Sequence, residues 1–174
     1  MGDSKDACIA VLAGHVGELS VGLFSFDSKL CLTGSTDRTV RLWSAETGVC
    51  LEVFKGHSDE VVDLAVTSDA RLIASASADG TAKIWDVETG ELAATLAGHG
   101  ADISRVVFAP NGKRVLTGSG DKTLKIWDVQ TGVCLQTLEG HQDEIFSCMF
   151  NYWGDRIISA SKDNTCKVWT IDDS

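Results

Sequence analysis

Glycine followed by histidine recurs at Gly14-His15, Gly56-His57, Gly98-His99 and Gly140-His141, and tryptophan recurs at Trp43, Trp85, Trp127 and Trp169. Both series step by 42 residues without an insertion. Asp37, Asp79, Asp121 and Asp163 keep the same step, as do the hydroxyl residues Thr33, Ser75, Thr117 and Ser159. Four independent series in one register identify tandem copies of one unit. A length of 174 residues would otherwise suggest one ordinary domain with one core. The period instead divides it into four small units.

Within each unit the apolar residues fall in short runs broken by turn residues, which is the spacing of strands rather than helices. In the third unit the runs are 103–108, 114–118, 123–127 and 133–138. They are separated by Ala109-Pro110-Asn111-Gly112, Gly120-Asp121 and Gln130-Thr131-Gly132, the residue types that hairpin turns require. The innermost candidates, such as 61–66 and 145–150, are nearly continuous in apolar residues, which predicts packing on both faces. A four-stranded sheet of this size does not fold alone, so the units must stack. The tryptophan series is the natural filler between them. The predicted units are 14–55, 56–97, 98–139 and 140–171 within a single domain over 1–174. Residues 8–12 align with 50–54 and are expected to form an outermost strand preceding the first unit.

Gly-His, then Ser/Thr-x-x-x-Asp, then Trp, with Trp85-Asp86 and Trp127-Asp128, resembles the WD40 repeat over residues 7–171. The resemblance implies an all-β fold, a WD40 β-propeller of four blades forming a partial ring or half propeller. It further implies a hydrogen-bonded chain in each blade. Its members would be His15, Thr33, Asp37 and Trp43; His57, Ser75, Asp79 and Trp85; His99, Thr117, Asp121 and Trp127; and His141, Ser159, Asp163 and Trp169. Trp43-Ser44 and Trp169-Thr170 depart from the Trp-Asp dipeptide at a position outside that chain.

Serine, histidine and aspartate recurring together also form the residue set of a hydrolase triad. A catalytic site would not be copied four times at one spacing, so the expectation is no enzyme. A buried Asp is tolerable when paired and hydrogen-bonded, and an imidazole between the Asp turn and the hydroxyl supplies that pairing. The same spacing puts the histidines on separate blades, so neither a metal site nor any other cofactor is expected. Cys8, Cys31, Cys50, Cys134, Cys148 and Cys166 include no C-x-x-C. Three of them, Cys8, Cys50 and Cys134, hold one repeated position and so lie too far apart for disulfides. They read as small apolar strand residues of a reduced protein. Fifteen Lys and Arg against twenty-five Asp and Glu give a net charge of -10, with no basic stretch to follow a phosphate backbone. Nucleic acid is therefore not an expected partner. The first residues lack a basic region followed by a cleavage site and are too short in apolar length to span a bilayer. The expected place is the cytoplasm.

LEGHQDEIFSC at 138–148 and SKDNTCKVW at 161–169 resemble the last repeat of the dynein assembly factors with WD repeat domains. SADGTA at 77–82 and LTGS at 116–119 resemble earlier repeats of that family in the same order. This resemblance implies an adaptor for outer-arm dynein in intraflagellar transport, acting at the cilium or flagellum, with dynein arm or transport subunits as partners. Members carry an N-terminal segment and about twice as many repeats, so the chain would correspond to the C-terminal half of their propeller. A general WD40 scaffold, such as a ubiquitin-ligase substrate receptor or a signalling subunit, is the alternative. Three assemblies stay open: an open half-ring, a dimer of two halves, and a tight closed ring in which residues 8–12 complete the last blade. Open blade edges would favour self-association.

Partner surfaces are sought where the units agree in place without serving the packing. Glu18, Glu60, Asp102 and Glu144 each follow a histidine by three residues and would form an acidic arc on the face of the Asp turns. Such an arc would recognise a basic segment, or would be a set of solvated carboxylates. Asp63 and Arg105 interrupt apolar innermost strands in adjacent blades, either lining a central channel or pairing with each other. Tyr152 and Trp153 occupy a turn where other units carry Ser68-Asp69 and Pro110-Asn111, and exposed aromatic residues on a turn can mark a contact surface.

Overall fold

The computed structural model describes residues 8–171, and among them every regular element is a strand. The first sheet is β1 (Leu19–Phe24), β2 (Leu30–Ser35), β3 (Thr39–Ser44) and β4 (Cys50–Lys55). The second is β5 (Val61–Val66), β6 (Leu72–Ser77), β7 (Thr81–Asp86) and β8 (Leu92–Ala97). The third is β9 (Ile103–Phe108), β10 (Arg114–Ser119), β11 (Leu124–Asp128) and β12 (Cys134–Leu138). The fourth has three strands, β13 (Ile145–Phe150), β14 (Arg156–Ser161) and β15 (Cys166–Thr170). Each sheet is an antiparallel meander in chain order. The turns agree in backbone as well as in length. The residue after the turn aspartate is left-handed in all four, with φ of 70° at Arg38, 79° at Gly80, 74° at Lys122 and 64° at Asn164. Glycine and asparagine adopt that conformation readily, whereas Arg38 and Lys122 hold it against their own preference.

The cores lie between sheets rather than within them. Leu32, Val40, Leu42 and Phe54 of the first sheet enclose one core with Val61, Leu64, Ile73 and Trp85 of the second. The same repeat positions, Ala74, Ala82, Ile84 and Leu96, meet Ile103, Val106, Val115 and Trp127 at the next junction. A third core joins Leu116, Leu124, Ile126 and Leu138 to Ile145, Cys148 and Ile157. Burial raises the Cys148 thiol to about 12, so it serves here as a small apolar side chain. The inner strands β1, β5, β9 and β13 pack in series. Polar links reinforce the series: Ser20 Oγ donates to the carbonyl of Val61, and Ser104 Oγ to that of Ile145. At the middle junction Asp63 takes this part, accepting the Val106 N–H at 2.8 Å.

Three sequence expectations change. Strand ends in the third unit move by a residue, with β11 running Leu124–Asp128 and β12 Cys134–Leu138. Within 145–150, Phe146 and Met149 are more than half exposed, because one face of the fourth sheet has no neighbouring sheet among the described residues. Residues 8–12 are not a strand; residues 10–12 instead pack against the turn at Gly48 in the first sheet.

Trp85 is 2% exposed and sits in the first junction against Phe54, ring centroids 5.6 Å apart. Trp85→Ala is expected to cost about 3 to 5 kcal/mol, the range for truncating a large core aromatic. Urea melts followed by circular dichroism measure it, and a midpoint equal to that of the parent would remove Trp85 from the core.

Candidate functional site

The third strand and the loop entering the first strand of each blade meet on one hydroxyl oxygen. In the second blade Trp85 Nε1–H donates to Ser75 Oγ at 2.8 Å, Ser75 Oγ lies 2.8 Å from His57 Nε2, and His57 Nδ1 lies 2.9 Å from Asp79 Oδ2. The third blade repeats the chain through Trp127, Thr117, His99 and Asp121, the first through Trp43, Thr33, His15 and Asp37, and the fourth through Trp169, Ser159, His141 and Asp163. The carboxylate can only accept, so Nδ1 carries a proton, and in the neutral ring Nε2 is left to accept the hydroxyl's proton. That fixes the neutral imidazole with its proton on Nδ1, donated to the carboxylate.

The titration behaviour follows from this arrangement. Burial pushes His57 and His99 below the ordinary 6.5, against the pull of Asp79 and Asp121. Burial would raise the aspartates, but hydrogen bonds from Thr81, the Ser58 N–H and His57 bring Asp79 down to about 2, and matching groups bring Asp121 to about 2. Asp37 and Asp163 are lowered in the same direction by their threonine, histidine and backbone donors. Each carboxylate is thus a fully engaged acceptor. The hydroxyls lie at the bottom of the network, with Ser75 and Thr117 at 0% exposure. They are bonded on both sides and closed to a substrate, so this geometry locks the chain trace and presents no nucleophile.

Two further repeat positions belong to the network and were overlooked in the sequence. Thr39, Thr81, Thr123 and Thr165 donate through both N–H and Oγ1 to the second oxygen of the turn aspartate, with hydroxyl distances of 2.6 to 2.7 Å. Ser35, Ser77, Ser119 and Ser161 accept the aspartate's own N–H at 3.0 to 3.1 Å. Both series keep the 42-residue step and were visible as an Asp-x-Thr preceded by Ser.

The acidic positions are tied to this turn. The carbonyls of Glu18, Glu60, Asp102 and Glu144 accept the N–H of Thr36, Ala78, Gly120 and Lys162 at 2.9 to 3.0 Å. All four therefore sit on the face of the Asp turns, with Glu18, Glu60 and Asp102 exposed. The face is not uniformly acidic: Arg38 and Lys122 are exposed on the same turns, and Lys162 Nζ pairs with Glu144 at 3.5 Å. Asp63 and Arg105 meet each other across the middle junction at 3.2 Å. Tyr152 and Trp153 are each 80% exposed on the β13–β14 turn, their rings edge to face with centroids 4.8 Å apart. Phe26, at the repeat position of Tyr152, is 84% exposed and lines a cleft with Phe24, Phe108 and Pro110, an aromatic surface that the sequence reading left out.

The pH dependence has a definite sign. Folded His57 and His99 bind protons less readily than unfolded histidine at 6.5, so the unfolded state takes up more protons and stability falls as pH drops through 6.5. Asp79 and Asp121 add stability above their ordinary 3.8 that is lost as pH falls towards 2. Urea midpoints measured from pH 7.5 downward are expected to decline monotonically; a flat profile between pH 7 and 5 rejects the neutral imidazole. Ser75→Ala strands both the Trp85 N–H and His57 Nε2 and is expected to cost about 1 to 3 kcal/mol.

The WD domain, G-beta repeat model matches residues 6–44, 48–86, 90–128 and 132–170. Each of the last three matches runs from the outer strand of one blade through the third strand of the next. No match is found among curated proteins. With four matched repeats, four sheets that stack through equivalent cores, and the same Trp-hydroxyl-His-Asp chain in every unit, the chain belongs to the WD40 repeat family.

Proposed function

We propose that the chain is a protein-interaction scaffold that receives a basic segment of its partner on the face of the Asp turns. WD40 repeats support protein interaction in general, and the fold is typically non-enzymatic. The observation that supports this reading is the fixing of Glu18, Glu60, Asp102 and Glu144 to four equivalent turns by backbone hydrogen bonds, which leaves the exposed carboxylates of Glu18, Glu60 and Asp102 to face a partner while Glu144 pairs with Lys162. A rigid, repeated array of like charge steers an oppositely charged segment and fixes its register. The resemblance of 138–148 and 161–169 to dynein assembly factors with WD repeat domains supports outer-arm dynein or intraflagellar transport subunits as that partner, and the cilium as the place of action. No helix among the described residues is long and apolar enough to cross a membrane.

Capture on the immobilised chain from ciliated cells, probed for dynein arm and transport subunits, tests the partner; recovery of neither rejects it. For a recovered partner, the association rate is expected to fall as salt rises, and charge reversal at Glu60 and Asp102 to slow it further. Stability should stay within about 0.5 kcal/mol of the parent, as for most surface substitutions. A double variant that associates at the parent rate across the salt series rejects the acidic face. Loss of binding in Tyr152→Ala with Trp153→Ala, with little salt dependence, would move the contact to the aromatic turn instead.

A further inference from the structure

Repeat symmetry shows half of an inter-blade core exposed at each end of the described structure. The first half is exposed on the fourth blade. Ile158 and Val168 hold the repeat positions of Leu116 and Ile126, which are buried in the third junction, yet Ile158 is 43% and Val168 68% exposed. Cys166, equivalent to buried Leu124, is exposed too. The second half is on the first blade, where Leu19 and Cys31 hold the positions of Val61 and Ile73 and Leu19 is 56% exposed.

Residues 8–12 show how these halves are meant to meet. In the third blade the Cβ position of Gly132 lies 3.3 Å from Ala94 Cβ, 3.8 Å from the Thr95 carbonyl and 3.8 Å from Leu96 Cδ2, all in β8 of the blade before it. In the first blade the Cβ position of Gly48 lies 3.3 Å from Ala10 Cβ, 3.5 Å from the Val11 carbonyl and 3.8 Å from Leu12 Cδ2. The offsets in sequence are the same. Residues 10–12 therefore occupy, against the first blade, the place that an outer strand of a preceding blade would take. They do so without being a strand, and a cleft lined by Ile9, Leu12, Phe24 and Cys31 opens beside them. Meanwhile β15 pairs with β14 along one edge only.

We propose that a second copy of this chain fills the cleft: its β15 pairs antiparallel with residues 8–12 of the first copy, and the reciprocal contact closes a ring of two chains. The pairings of β11 with β12 fix the register. Leu124 opposite Leu138 becomes Cys166 opposite Leu12; Lys125 with Thr137 becomes Lys167 with Val11; Ile126 with Gln136 becomes Val168 with Ala10; and Trp127 with Cys134 becomes Trp169 with Cys8. Ile158 and Val168 then bury against Leu19, Cys31 and Trp43, as their equivalents do at the three internal junctions. The occupant is another copy rather than the chain's own fourth blade, since β1, β5, β9 and β13 form an open series that leaves both half-cores exposed at once. The contact is head to tail, so two reciprocal contacts remove both free edges.

Sedimentation equilibrium and non-reducing peptide mapping test this. The parent is expected at twice the chain mass. Val168→Asp and Leu19→Asp alter exposed positions, so each should keep the parent far-ultraviolet spectrum and run at single-chain mass. Mixed one to one they should form a two-chain species, because Val168→Asp leaves the first-blade end intact and Leu19→Asp the fourth-blade end. Leu12→Cys places a thiol opposite Cys166, and oxidation should join peptides containing positions 12 and 166 from different chains. The proposal is overturned by a parent of single-chain mass, by a dimer that survives both aspartates, by a mixture that stays monomeric, or by a 12–166 link within one chain.

Discussion

One hydroxyl oxygen per blade carries most of the structural specification. It accepts from the indole on the third strand and donates to the imidazole at the entrance of the first strand, and the imidazole in turn holds the turn aspartate. Hydrophobic packing tolerates many arrangements of similar volume, but a buried polar chain is favourable only when every member finds its partner. A slip of one residue of the second strand against the third would part the hydroxyl from the indole, and any such slip turns the apolar set towards the wrong neighbour. The network thus fixes register, and register decides which residues reach the inter-blade cores. Those cores, in turn, set the spacing of the turns that carry Glu60, Asp102 and their equivalents.

The sequence was most informative where the units agree. His57, Ser75, Asp79 and Trp85 could be placed together from spacing because four copies suppress coincidence, and strand positions followed from turns rich in Gly, Asn and Asp. It was least informative at the ends. Residues 8–12 align with outer strands by type, but a strand needs a partner edge, and no local signal says whether one is present. Phe146 and Met149 likewise look like core residues because their apolar character matches the other inner strands, while their exposure depends on which sheet stands beside them. The threonine and serine series around the aspartate were legible and overlooked, since a hydroxyl beside a turn reads as solvated until its acceptor is seen. Asp63 and Arg105 were placed at a junction, yet the choice between lining a channel and pairing needed coordinates.

His57 and His99 behave differently from the switch that the ordinary histidine pKa would suggest. Burial outweighs the neighbouring carboxylate at His57 and His99, so the ring stays neutral and acts as a rigid spacer between a hydroxyl and an acid. Residue types shared with hydrolases are used here for connection. The difference lies in access: a nucleophile must meet solvent or substrate, whereas Ser75 and Thr117 are sealed beneath their own tryptophans.

The inter-blade placement of the cores has a mechanical consequence. In a stack where each unit holds only its neighbours, a load applied along the chain is shared unequally. Within one chain, among the described residues, the second and third blades are clamped on both sides, whereas the first and the fourth are each braced by a single core. A single chain of this build yields from its margins, one sheet at a time, instead of rupturing as a whole. Each lost sheet also leaves behind a margin of the same shape as before, so the damage is self-similar and regrowth can start from whichever sheet still stands.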